Sequence, residues 1–277
     1  MSNIGCDSMK ILVSLLTFLD FDMTTPVMFG WFHILSLVLT ILVAVLLCRV
    51  FSSAEEKTVR RIVLYTSVIS IVLEVYKQIN YTFFVTDGVI VTDYQWYAFP
   101  FQFCSTPMYV GLLAGLLRPC KVRDALYSYL ATYGLFAGLC VMLYPAQVFI
   151  STIGINIQTM ICHGLMIVVG IYLMFSEAVK LDHKTILRAL PVFVVNVIIA
   201  IILNELAYFT GFVGDETFNM FFFSPHYAPS LPVYSIVQQY VSYPWSLFIY
   251  IAGFTAAGYI ITAIAMLIRR VFSHREK

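Results

Sequence analysis

Long apolar runs alternate with short polar junctions along this chain. Seven runs stand out, at residues 27–48, 62–85, 100–117, 125–144, 154–175, 186–209 and 245–268. Each is close to the ~20 apolar residues that carry a helix across a ~30 Å hydrocarbon core. Only helices and closed barrels satisfy every backbone group inside a bilayer, and these runs lack the period-two alternation of barrel strands. The pattern predicts an all-α, polytopic membrane helix bundle with about seven transmembrane helices.

Basic residues fix the orientation. Arg49, Lys57, Arg60 and Arg61 lie near the first junction, and Arg118, Lys121 and Arg123 near the third. Lys180, Lys184 and Arg188 flank the fifth, and Arg269, Arg270, Arg275 and Lys277 follow the last run. The second, fourth and sixth junctions have neither Lys nor Arg. Of the 16 Lys and Arg residues, only Lys10 and Lys77 break the alternation. By the positive-inside rule the odd junctions and the tail are cytoplasmic, so the N-terminus is outside and the C-terminus inside. The expectation is one multi-pass domain of the cell membrane over 1–277. It comprises an N-terminal segment (1–26), a seven-helix bundle (27–268) and a basic tail (269–277).

The segment before the first run resembles a signal peptide, with Lys10 preceding an apolar stretch at 11–19. No small-x-small cleavage site follows; Asp20, Asp22 and Pro26 come next. The stretch is too short to span, and it reads as an interfacial helix whose Lys10 snorkels toward phosphate.

Composition narrows the function. With 61% hydrophobic and 11% charged residues the chain cannot cover a soluble globule of this size. A net charge of +1, with the positive residues in a fringe, excludes a nucleic-acid partner. Membrane phospholipids are the expected environment or substrate. The six cysteines show no C-x-x-C and no ligand spacing, so neither a metal nor a cofactor is expected.

Polar residues inside the runs carry the chemistry. A charge at the bilayer centre costs about 2.5–3.5 kcal/mol on insertion scales. Glu74, Lys77 and Gln78 share one helical face, with Tyr81 a turn further on. They suit a structural ion pair or a functional site equally. At ~1.5 Å per residue from the outer ends, Cys104 lies about 6 Å deep, Asn204 about 8 Å and His33 about 9 Å. Lys77 follows at about 12 Å, His163 at about 14 Å and Glu74 at about 17 Å. These residues come from five different runs, and the inner half of the bundle is nearly bare of their kind. The expectation is one polar pocket open to the outer leaflet. Cys104 supplies a nucleophile and His163, or else His33, a base, the minimum for thiol catalysis; Lys77 would favour the thiolate.

Ordered motifs add a resemblance. The third run begins FPFQFC (99–104), the fourth ends GLCVMLYP (138–145), and the fifth holds CHGLMIVVGIYLMF (162–175). NMFFFSP (219–225) and YPW (243–245) follow. This set resembles the YwaF-like family of integral membrane proteins, and His33 and Glu74 match family positions as well. Phe99 and Phe103 replace the family's leucines, and Tyr144 stands where it usually has Thr. That family includes an animal transmembrane phospholipid acyltransferase. The resemblance implies acyl transfer through a thioester on Cys104, with His163 as its partner. Asn204, Gln102 or Asn219 could then donate to the oxyanion, Gln102 only if Pro100 leaves the adjoining turn irregular. Two other readings remain open. One is a small-solute transporter or binding protein with Glu74 and Lys77 as ligands; the other is a lipid-ester hydrolase using the same Cys–His pair. The sixth junction, 211–243, is expected to fold over the outer mouth as a lid or an interfacial segment.

Overall fold

The computed structural model describes residues 2–228 and 231–275. Lys277 and part of the sixth junction lie outside the described residues. The protein is a polytopic all-α membrane bundle. Its spans are α2 (Trp31–Phe51), α3 (Glu56–Asn80), α4 (Thr106–Leu116), α5 (Lys121–Tyr129) continued by α6 (Leu135–Leu143), α7 (Ile153–Phe175), α8 (Thr185–Thr210) and α10 (Tyr243–Arg275). Helix α1 (Ser2–Leu19) precedes them, and α9 (Pro232–Tyr240) lies in the sixth junction. A turn of π-helix at Leu130–Gly134 joins α5 to α6, so the fourth span runs unbroken over Lys121–Leu143.

Two ends of the bundle are distinct, and their contacts group the junctions as the basic residues do. At one end Arg123 pairs with Glu56, Arg269 pairs with Glu177, and the Tyr172 hydroxyl donates to the Phe51 carbonyl at 3.2 Å. The first, third and fifth junctions and the C-terminal helix thus meet. At the other end the Trp96 N–H donates to Glu216 at 3.1 Å and the Met23 N–H to the Ser151 carbonyl at 2.6 Å. These bonds tie the second junction to the sixth and the N-terminal segment to the fourth. The fourth and fifth spans form the centre, each with 72% of its most apolar stretch buried, against 6% for the first. The apolar residues of α2 therefore face outward, where hydrocarbon would surround them.

The third span departs from expectation. Helix begins only at Thr106, and the 11 residues of α4 extend about 16 Å, half of a bilayer core. The cause is local. Pro107 belongs to a first helical turn, where its missing N–H costs nothing, and Pro100 disfavours helical backbone just before it. Residues 99–105 form irregular turns, held by the Thr106 hydroxyl on the Phe103 carbonyl at 2.9 Å and on the Tyr129 hydroxyl at 2.6 Å. Six helices, not seven, are long and apolar enough to cross alone among the described residues.

A β-hairpin in the second junction is a further addition to the all-α expectation. Strands β1 (Phe83–Thr86) and β2 (Val89–Thr92) pair antiparallel around Asp87-Gly88, both at positive φ (52° and 74°). Asp-Gly between apolar runs is the usual signal of such a two-residue turn.

The sixth junction is a wedge more than a lid. Met220, Phe221 and Phe223 are fully buried. Phe221 and Phe222 hold left-handed backbone (φ 61° and 58°), a conformation unfavourable for bulky side chains that persists because the surroundings over-determine it. Two side-chain amides do so. Asn204 on α8 donates to the Met220 carbonyl at 3.0 Å and accepts from the Met220 N–H at 2.7 Å. Gln102 donates to the Asn219 carbonyl at 3.2 Å and accepts from the Phe221 N–H at 3.0 Å.

Candidate functional site

A cavity of about 910 Å³ runs into the bundle between α3, the 99–105 turns and α7, beneath the wedge. Glu74, Lys77, Gln102, Cys104, His163 and Asn219 line it. His33 and Asn204, expected in the same pocket, do not. Cys104 sits on the irregular segment just before α4. Non-helical backbone at membrane depth is tolerated only where it is buried in protein or lines a cavity, and here it lines one.

The two buried histidines differ in what they have left to offer. His33 accepts the Phe29 N–H on Nδ1 at 2.9 Å, which leaves the proton on Nε2; that nitrogen donates to the Met142 carbonyl at 2.8 Å. Both positions are filled, and His33 pins the first span to the end of the fourth. His163 places Nδ1 2.7 Å from the Thr159 carbonyl one turn earlier, so Nδ1 carries the proton. Its Nε2 is buried and has no hydrogen-bond partner. It is therefore an imidazole in the basic tautomer with a free lone pair.

No hydrogen bond joins His163 to Cys104, so the expected Cys–His pair is not formed in this structure. Both residues line one cavity, and the unpartnered Nε2 is the atom that a thiol, an alcohol or a water could engage.

Glu74 and Lys77 pair at 2.7 Å, and the same Glu74 oxygen accepts from Gln78 at 2.8 Å. Gln78 in turn donates to the Ala98 carbonyl at 2.9 Å and accepts from the Tyr94 hydroxyl at 2.6 Å. This chain braces the second span against the turn that leads to Cys104. Asn219 contributes a wall, its side-chain oxygen accepting the Ser224 N–H at 2.9 Å. Gln102 lines the cavity because the preceding turns are irregular, yet its amide oxygen and nitrogen are both engaged with the wedge.

Sequence reasoning passed over several lining groups. Thr159 fixes the histidine tautomer, and its position four residues before His163 on one helix was the available signal. Cys162 and Gln158, in contact at 3.6 Å, also face the cavity; a cysteine beside a histidine reads as packing until the helix faces are known. Among the described residues no cluster of His, Cys, Asp and Glu is placed to hold a metal ion.

No curated protein and no solved structure matches the chain. The model of the TMEM164 family, a family of transmembrane proteins, matches residues 28–266, from the first span into the last, and the chain belongs to that family.

Proposed function

We propose that this protein is a lipid acyltransferase of the cell membrane that works through a thioester on Cys104, with the cavity open to the outer leaflet. One observation carries the reading: His163 is held in the tautomer that leaves Nε2 unpartnered, in a cavity that Cys104 also lines. An unsatisfied buried nitrogen is costly, which favours a partner supplied during turnover.

In the first half-reaction Nε2 takes the Cys104 thiol proton as sulfur attacks the ester carbonyl of a phospholipid. The tetrahedral intermediate collapses, the carbon–oxygen bond breaks, and the imidazolium returns the proton to the departing lysolipid alkoxide. In the second half the hydroxyl of an acceptor lysolipid gives its proton to Nε2 and attacks the thioester, and the thiolate leaves and is reprotonated. The donor for the oxyanion is the Asn219 side-chain nitrogen, since the N–H groups of Ser105, Thr106 and Met108 at the start of α4 are taken by the Gln102 and Ser105 carbonyls and Pro107 has none. Asn204 is assigned a structural role instead, because Met220 occupies both ends of its amide.

A lipid-ester hydrolase would share the first half and differ only in using water as acceptor. The carrier reading loses support from the Glu74–Lys77 pair, whose groups are engaged with each other and with Gln78.

The test uses purified protein in phospholipid vesicles with an alkyne-tagged acyl donor. Wild type should become labelled through a hydroxylamine-sensitive bond and pass the chain to added lysolipid; Cys104→Ala should do neither. Persistent transfer in Cys104→Ala would overturn the acyl-enzyme. Labelling followed only by free fatty acid would replace the transferase with the hydrolase.

A further inference from the structure

The proposed chemistry lies at the level of Cys104 and His163, and the lining further along α7, here called the inner limb, has a different character. Continuing along α7 from His163, the next lining positions are Leu165, Met166 and Val169, the last about 9 Å deeper at 1.5 Å per residue. Across from them on α3 lie Thr66, Ser67 and Ser70. Their hydroxyls are satisfied by their own helix, donating to the carbonyls of Ile62 (2.9 Å), Val63 (2.8 Å) and Thr66 (3.0 Å). They offer no free donor to a guest. Leu130 and Gly134 of the π-turn complete the wall.

Helices α3 and α4 come close together beside this lining. Gly111 lies so close to the Ser67 hydroxyl that a Cβ there would collide with it, and at Gly115 a Cβ would lie 2.8 Å from the Leu64 Cα. This glycine pair, four residues apart, brings the helix backbones together from Ser67 to Leu64, which leaves little space between them below the lining hydroxyls. Gly134 is different. A Cβ there would meet Pro107, which also lines the cavity, at 3.6 Å, ordinary contact, so the position can accept a side chain beside the lining.

We infer that this inner limb is a slot for the acyl chain, with its depth set by the α3–α4 crossing and its width by Gly134 and Val169, so that the protein selects its lipid by chain length. The inference rests on the acyl-transfer reading above and names the part of the substrate held below the reacting carbon. Two observations support an alkyl occupant. A guest would find no free hydroxyl donor on Thr66, Ser67 or Ser70, and the total volume is at the upper end of the ~300–1,000 Å³ typical of ligand sites.

Two variants that narrow the slot test this: Gly134→Leu and Val169→Phe, each assayed in vesicles with phosphatidylcholine carrying an alkyne-tagged octanoyl or palmitoyl chain. Palmitoyl labelling should fall about tenfold or more relative to octanoyl, the range that a methylene or two commands in a hydrophobic pocket. An equal fall for both chains, or no change in either, would overturn the slot. A readout independent of thioester chemistry separates this from the parent reading. A palmitoyl lipid with a diazirine at the chain terminus should crosslink wild type and Cys104→Ala alike at residues 130–134 and 166–169. Crosslinks confined to outward-facing residues would dismiss the slot. Crosslinks at residues 130–134 and 166–169, with acyl transfer persisting in Cys104→Ala, would keep the slot and dismiss the acyl-enzyme.

Discussion

The surroundings of His33 and those of His163 look alike by burial and unlike by hydrogen bonding. The side chains are 0% and 8% exposed, and both imidazoles sit inside spans facing the bundle. Around His33 every position is filled, because the chain turns back at Phe29 and the fourth span ends at Met142 within reach of the two nitrogens. Around His163 the helix supplies one acceptor, the Thr159 carbonyl, and the cavity supplies none. Depth therefore does not separate the two histidines; counting donors and acceptors does.

The largest expected effect is at His163. His163→Gln cannot take a proton, and acyl labelling of Cys104 should fall by about 10²–10⁴, the usual contribution of a general base. Its thermal midpoint in detergent should move little. The converse substitution sharpens the contrast. His33→Gln should leave Phe29 or Met142 without its partner and cost about 1–3 kcal/mol of stability, with labelling per folded molecule kept. Were His33→Gln to lose labelling at unchanged stability, the assignment of the two histidines would be reversed.

Asn204→Leu extends the comparison to the wedge. It should cost about 1–3 kcal/mol for each Met220 group left bare, and the Met220 amide should exchange faster in hydrogen–deuterium measurements. Lost transfer with unchanged exchange would return Asn204 to the oxyanion role. The smallest effect lies at the basic end. Burial raises the Asp182 carboxyl, but hydrogen bonding from Arg188 and from the Lys184 N–H outweighs it and holds the group below its ordinary value. Its contribution is thus present above the unfolded value near 3.8 and lost as pH falls through the folded one. Asp182→Asn should lower neutral-pH stability slightly, with the difference from wild type closing as pH falls below about 3.8, so that the acid limb of the stability profile flattens.

Hydropathy and Arg/Lys placement were sufficient for six of the seven spans and for the grouping of junctions, because both reflect forces acting on single residues. The shared face of Glu74, Lys77 and Gln78 was legible for the same reason: helical spacing is local. What escaped depends on distant partners. Gln102 meets Asn219 and Phe221, His33 meets Met142, and nothing near either residue announces the other. The broken third span stood between these cases. Pro100 and Pro107 signal a late helix start, but the apolar run around them hides it. The hairpin is signalled by Asp87-Gly88, although its first strand is continuous with the apolar run at 62–85.

The wedge has a consequence for biogenesis. Gln102 and Asn204 are synthesised before residues 219–222, so while the ribosome is still making the sixth junction the two amides have nothing to hold and the cavity has no roof. Only when Phe221 arrives can the left-handed turn be secured, and the roof is then clamped from two spans made at different times. Truncation after the sixth span would therefore leave a membrane-inserted bundle with its Cys104 segment uncovered, a state that quality-control machinery could distinguish from the finished protein by the water it admits.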